Sequence, residues 1–169
     1  MIAIMKTLTI LRHAKSSWGD ANLVDHDRPL NARGRRDAPI MAARMAEVGI
    51  RPSLILSSSA RRAWSTAKEV ANELSYPTEF LQRERDLYHA GVSRLLDVLA
   101  EQDAGFNNIL LVGHNPGLTD FANYLVPDLT DNIPTCGYLS VKFELDTWNL
   151  KDAESVELVI YDYPKRPAS

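Results

Sequence analysis

The sequence predicts one α/β domain over residues 1–169, a three-layer sandwich with a mostly parallel central sheet and helices on both faces. Three observations predict it. Strand-like and helix-like runs alternate along most of the chain. Several of the strand-like runs stop at polar turns rather than at more apolar sequence. The last two runs are strand-like and adjacent, as an antiparallel hairpin would be.

Thr7 to Leu11 alternates β-branched and aliphatic residues and ends at Arg12-His13, which reads as a buried strand with polar residues at its carboxyl end. Asn31 is placed to cap a helix reaching about Glu47, with Gly49 closing it. Pro39 inside that stretch predicts a kink or a break. Ser53 to Leu56 reads as a second strand, followed by the polar run Ser57-Ser58-Ser59. A helix from about Ala60 to Leu74 carries Ala63, Ala67, Val70, Ala71 and Leu74 on one face. Glu79 to Leu81 reads as a brief strand, and Ser93 as the cap of a helix to about Glu101. Asn108 to Val112 is the clearest central strand; it ends in Gly113-His114-Asn115-Pro116-Gly117, before a helix over Leu118 to Leu125. Tyr138 to Leu145 and Val156 to Tyr161 form the closing pair, joined through Trp148 and Asn149, and Pro164 to Pro167 is a loose tail.

The bulk composition excludes several classes of function. A chain with 45% hydrophobic residues, 24% charged residues and a net charge of -3 is ordinary for a globular protein. It lacks the basic excess of a nucleic-acid or membrane-surface binder. Cys136 is the single cysteine, so no intrachain disulfide forms and a reducing compartment is expected. Met1 to Met5 is apolar, carries Lys6 next and runs into a strand, unlike a signal peptide. No run approaches the roughly 20 apolar residues of a membrane span. A cytoplasmic protein is the expectation.

Function is most legible at the strand ends. In open α/β sheets ligands collect at the carboxyl ends of the strands. Two strands end in histidine-bearing turns, Arg12-His13 and Gly113-His114, and a third ends in serines with Arg61 and Arg62 just beyond. Three chain segments thus aim phosphate-binding side chains at one rim. Phosphoryl transfer needs positioning and charge neutralisation above all. Arginine forks grip non-bridging oxygens. One neutral imidazole can attack phosphorus, and a second, protonated, can stabilise the equatorial oxygens. Arg12, His13, Arg62 and His114 supply that set without a metal or cofactor.

The residues that carry this chemistry also carry a resemblance. Leu-Arg-His at 11–13, Arg-Pro-Leu at 28–30 with Arg33-Gly34, Ser-Ser-Ala-Arg-Arg-Ala-Trp-Ser-Thr-Ala at 58–67 and Val-Gly-His-Asn at 112–115 occur in that order. With them the sequence resembles the histidine phosphatase superfamily, of phosphoglycerate mutase-like fold, and most resembles its small bacterial SixA phosphohistidine phosphatase branch. The resemblance implies that His13 is the nucleophile and that Arg12, Arg62 and His114 complete the phosphate pocket. In the family the arginine directly before the alanine is the functional one, which points to Arg62 rather than Arg61.

The departures from the family pattern shape the substrate expectation. Ala14-Lys15 stand where larger relatives carry Gly-Glu, and Gly19 falls where they place an asparagine on phosphate. The insertions with which those relatives enclose substrate are missing as well. A shallow, open pocket follows, suited to phosphate on a protein surface, such as a histidine-containing phosphotransfer domain of a signalling relay. Glu84 and Asp86 are the candidate proton donors. A weak donor suffices for a labile P–N bond but handicaps alkyl esters.

Other polar residues have two readings each. Lys15 and Ser16 either touch substrate or belong to a mobile loop. Ser57, Ser58 and Ser59 read as helix-entry and capping residues, with one of them free to support the pocket. Arg28, Pro29 and Leu30 shape the turn into the first long helix, with Arg28 a candidate brace for the rim. Trp18 and Tyr88 either line the opening or pack, while His26 and His89 read as surface residues.

Rival chemistries fit poorly. Asp25-His26-Asp27 is not preceded by the apolar strand of a magnesium-dependent aspartyl phosphatase, and Arg28 follows it. Cys136 has Lys142 where a cysteine phosphatase needs arginine. The four histidines are too scattered for zinc, and no Gly-x-Ser-x-Gly elbow occurs. Two alternatives to a phosphohistidine phosphatase remain: a broad small-molecule phosphomonoesterase, and a phospho-ligand binding module without turnover.

Overall fold

The computed structural model describes residues 4–166; Met1 to Ala3 of the apolar start and Pro167 of the tail lie outside the described residues. Six strands and four α-helices follow one another as β1 (Met5–Arg12), α1 (Ala32–Glu47), β2 (Leu54–Ser58), α2 (Arg61–Glu73), β3 (Gln82–Glu84), α3 (Val92–Ala100), β4 (Asn108–Gly113), α4 (Gly117–Leu125), β5 (Tyr138–Glu144) and β6 (Glu157–Asp162). They form one sheet in the order β3-β2-β4-β1-β5-β6. The first four strands are mutually parallel, and β5 runs antiparallel to both β1 and β6. This is the α/β sandwich the strand-helix alternation predicts, with the closing hairpin as its antiparallel edge.

Period-two alternation divides the core between the two faces. Leu8 and Ile10 of β1 and Ile109 and Leu111 of β4 pack with α3 and α4. Leu11, Leu110 and Val112 face the other way, onto Ala38, Met41, Ala42 and Met45 of α1 and Ala63, Ala67, Val70 and Ala71 of α2. The small apolar side chains of α2 let it lie close to the sheet and to α1. Trp148, fully buried in the β5–β6 connection, donates its indole N–H to the Phe106 carbonyl at 2.8 Å.

Several local expectations need correction. The predicted break at Pro39 is absent, because α1 is hydrogen-bonded through it. Buried residues on either side of Pro39, among them Asp37, Ala38, Met41 and Ala42, hold the helix against the core and outweigh the lost backbone bond. The strand expected at Glu79 to Leu81 lies three residues later: Pro77 leads into a short 3-10 turn over Thr78–Phe80, and pairing with β2 begins at Leu56 and Gln82. Ser93 is not the cap of α3, since Gly91 occupies that position and the helix starts at Val92. Asn31 does cap α1, its side chain accepting the Gly34 N–H at 2.8 Å. The chain's end, expected to be loose, makes a turn in which Arg166 N–H donates to the Tyr163 carbonyl at 3.0 Å. Among the described residues no helix is long and apolar enough to cross a membrane.

Candidate active site

Parallel pairing sets the site's floor. Arg12 is in register with Gly113, and Ser57 with Val112, so β1, β4 and β2 end at one level. The next residues of β1 and β4 are His13 and His114, their rings 5.0 Å apart. Ser58 closes β2, and Ala60 then starts α2 with no side chain capping it, which delivers Arg62 to the same place. The four side chains singled out from the sequence, Arg12, His13, Arg62 and His114, line one cavity of about 290 Å³ with Lys15, Ser16, Trp18, Asp25, Arg28, His89, Asn115 and Thr135.

His13 is buried, and its Nδ1 lies 2.7 Å from the Ala14 carbonyl. A carbonyl only accepts, so Nδ1 carries the proton and Nε2 holds its lone pair outward. Arg62 Nε donates to that Nε2 at 3.4 Å. Burial pushes the His13 pKa down to about 3 against the support of the Ala14 bond, and the charges of Arg62, Arg12 and Arg28 push the same way. The imidazole is neutral at physiological pH, as a nucleophile must be.

His114 is fixed from the side. Its Nε2 is 2.7 Å from Ser58 Oγ, and that hydroxyl also accepts the Ala60 N–H at 3.3 Å. Nδ1 of His114 is buried without a protein partner. The protein's own groups hold the His114 pKa at about 2: burial acts first, then His13, Arg62 and His89, with Asp25 opposing. The protein's own groups thus keep the ring neutral, and a phosphoryl dianion draws its pKa upward, toward the protonated form expected. Of the three serines, none caps α2: Ser58 supports His114, and Ser59 Oγ meets His26 Nε2 at 2.8 Å.

Asp25 holds the arginines in place. Arg62 Nη1 donates to its carbonyl at 2.7 Å and Nη2 to its Oδ2 at 3.0 Å, while Arg28 Nε lies 3.2 Å from Oδ1. Tyr88 donates its hydroxyl to the same carboxylate at 2.5 Å. Partial burial pushes the Asp25 pKa up, but the Tyr88 and Arg62 hydrogen bonds and the two arginine charges outweigh it and hold it at about 2. Arg28 is itself buried, stacked 3.4 Å beneath the exposed Trp18 ring, and its Nη1 has no protein partner. Arg12 Nη1 donates to the Ile133 carbonyl at 2.8 Å, which also accepts from Asn115 Nδ2 at 2.9 Å.

Lys15 and Ser16 sit on an ordered loop: Ser16 bridges to Leu30, and Asn31 N–H donates to the Lys15 carbonyl at 3.0 Å. Gly34 is required there, since a Cβ on it would lie 2.1 Å from that carbonyl. The two expected proton donors are not brought to the cavity. Glu84 turns back to accept the Asp86 N–H at 3.1 Å, and Asp86 lies 3.7 Å from Arg94 on the outer surface. Both are drawn off by the tight 3-10 turn at Arg85–Leu87, which uses Glu84 as its cap. Arg61 is exposed and lines a separate hollow with Arg35 and Ser65.

Sequence reasoning missed Asp25, read His89 as a surface residue, which it is although it also lines the cavity, and left Arg28 only a possible brace. No periodicity marks loop residues, and only the charge-rich run Asp25 to Arg28 hinted at the first and last. The buried thiol of Cys136, pushed up to about 12 by burial and then by Asp37, is no nucleophile. Among the described residues no group of three or more His, Cys, Asp or Glu side chains is arranged to hold a metal ion.

Comparison with known proteins follows the same lines. The Histidine phosphatase superfamily (branch 1) matches residues 8–107, more than half of the chain, a stretch that takes in Arg12, His13 and Arg62 and stops short of His114. An uncharacterized chloroplastic protein of Arabidopsis thaliana is 34% identical over 133 residues, and the match covers 73% of this chain but only 60% of that relative. A structure from Agrobacterium tumefaciens provisionally described as a phosphohistidine phosphatase SixA superposes with a TM-score of 0.79 at 26% identity, covering 94% of this chain and 99% of that one. The protein histidine phosphatase SixA complexed with tungstate shares the fold, with a TM-score of 0.72 at 21% identity over 92% of this chain and 95% of its own. The chain belongs to the histidine phosphatase superfamily, with the phosphoglycerate mutase-like fold of its SixA members.

Proposed function

We infer that the chain is a phosphatase working through a phosphohistidine at His13, and that its substrate is phosphohistidine on a protein, such as a histidine-containing phosphotransfer domain. One observation carries the mechanism: the Ala14 carbonyl fixes the His13 tautomer, so that a neutral Nε2 lone pair faces the cavity into which Arg62 and His114 project. A phosphoryl group entering there takes the Arg62 Nε–H in place of His13 Nε2. Its other oxygens meet the cavity wall formed by His114, Arg28, Arg12 and Lys15. Attack by Nε2 breaks the bond to the leaving atom, and water then takes the phosphoryl group from Nε2. Four arginine and lysine cations around the cavity do the charge neutralisation that phosphoryl transfer demands.

Cavity size supports the substrate class. About 290 Å³ is at the low end for a ligand site, enough for a phosphoryl group and a ring. The remainder of a substrate stays outside, as a protein would. The second reading, a small-molecule phosphomonoesterase, is favoured by a neighbouring hollow of about 580 Å³ that shares His89 with the cavity and presents Arg85 and Arg94.

Phosphate release from a phosphohistidine-bearing protein in EDTA, with His13→Ala as the blank and p-nitrophenyl phosphate in parallel, separates the readings. His13-dependent release from the phosphoprotein supports the proposal. Release from the ester alone moves the substrate to small monoesters. Binding of phosphate without release from either makes the chain a binding module.

A further inference from the structure

The reaction proposed above needs a proton donor for the leaving atom, and the cavity's side chains leave one candidate. Glu84 and Asp86 are outside it. Asp25 is held ionised by Arg62, Arg28 and Tyr88. His13 is the nucleophile, and His114 is held neutral by burial. Lys15 and the arginines serve as the cations that neutralise the phosphoryl charge. His89 remains, an imidazole on the cavity wall, and imidazole both gives and takes a proton near neutral pH.

Its placement is built into the fold rather than left to a free loop. His89 has a left-handed backbone with φ 60°, which is strained for a non-glycine residue and persists only where the surroundings enforce it. Two contacts enforce it. On one side its ring lies on Tyr88 with centroids 3.9 Å apart, and Tyr88 is tied to Asp25 and thence to Arg62. On the other side the Ala90 carbonyl sits so close to Gly117 that a Cβ there would be 1.8 Å from its oxygen. Gly117 opens α4, three residues after His114. The segment bearing His89 is therefore wedged between the arginine clamp and the His114 turn. The ring itself stays solvent-exposed at the mouth, where a leaving group departs and water arrives. It faces Tyr88, His114, Asp25, Arg62, Arg12, Arg28 and Lys15 across the opening.

We propose that His89 is the general acid of the first half-reaction and the general base of the second. As His13 Nε2 forms its bond to phosphorus, the bond from phosphorus to the leaving atom breaks. The electron pair goes to that atom, which takes a proton from the His89 imidazolium. Neutral His89 then removes a proton from water as the water oxygen bonds to phosphorus. The P–Nε2 bond breaks with its electron pair returning to His13. Phosphate leaves, and His89 is protonated for the next cycle.

The test rests on the phosphatase reading and can fail separately from it. His89→Asn is the variant of choice, because asparagine tolerates the left-handed backbone while having no proton to exchange. For kcat/KM, which reports the first half-reaction, the account expects a loss of about 100-fold or more on phenyl phosphate, whose leaving group needs a proton. On p-nitrophenyl phosphate, whose leaving group does not, it expects less than about fivefold. His89→Gln should show the same asymmetry. Equal losses on both esters, or none, overturn the assignment of His89 and leave the phosphatase reading standing. No turnover of either ester or of phosphohistidine by the unaltered chain overturns both.

Discussion

Arg62 reaches His13 and Asp25 at once: its Nε donates to His13 Nε2 at 3.4 Å while both Nη atoms are held by Asp25 at 2.7 and 3.0 Å. The guanidinium is thus fixed before any phosphate arrives, with one edge turned toward the nucleophile. A pre-positioned donor costs no reorganisation as charge develops in the transition state. Its neighbour Arg61, one residue earlier on α2, points to solvent.

Those two arginines should therefore separate cleanly. Arg62→Ala should lower kcat/KM by about 100-fold or more, the scale of a lost transition-state donor, and Arg61→Ala by less than about threefold. Steady-state kinetics on p-nitrophenyl phosphate reads both. Comparable losses would mean that α2 delivers the wrong side chain to the cavity.

Asp25→Asn tests the clamp. It keeps an oxygen for Arg62 but removes the charge that holds Arg62, Arg28 and Tyr88 together. A fall in kcat/KM of about 10-fold to 100-fold is expected, the range over which misplacing a group by about 1 Å acts. An unchanged kcat/KM would show that backbone contacts alone hold Arg62.

Ser58→Ala should leave the fold intact and loosen His114, because the 2.7 Å contact to Nε2 holds the ring in place at the cavity wall. The expected cost is about fivefold in kcat, from about 1 kcal/mol of lost hydrogen bonding, with tungstate affinity reduced in parallel. Loss of kcat with full tungstate affinity would assign His114 a role other than gripping oxygens.

Stability should fall in acid. His13 and His114 have folded pKa values of about 3 and about 2, depressed from 6.5, so between those values the unfolded chain binds more protons than the native one. Their contribution is present above pH 6.5 and drains away as pH falls toward 3. Asp25, depressed from 3.8 to about 2, adds the same sign at the acid end. Urea midpoints measured from pH 7 to pH 4 should decline, and His13→Gln should flatten the decline. A midpoint that rises toward pH 4 would contradict the burial of these rings as neutral groups.

Much of this was legible beforehand because it follows from periodicity and strand ends. The runs Thr7 to Leu11 and Asn108 to Val112 are strands, and their carboxyl ends do bring Arg12, His13 and His114 together. What was not legible depends on where loops fold back. Asp25 and Arg28 enter the cavity because the 16–30 segment pairs Ser16 with Leu30, a contact no local pattern announces. His89 does so because Gly117 lets the Ala90 carbonyl approach. Glu84 was misplaced for the converse reason: a carboxylate in the right stretch of sequence was spent on capping a turn. Pro39 misled because tertiary packing on both sides of it overrides local helix propensity.

The central claim is a phosphoryl group on His13 Nε2. Mixing the chain with a phosphohistidine protein, quenching in alkali within milliseconds and mapping phosphopeptides tests it most directly. The account predicts an acid-labile, alkali-stable phosphate on the peptide carrying His13, absent in His13→Ala. Turnover with no label on that peptide, or with label on another residue, would contradict it.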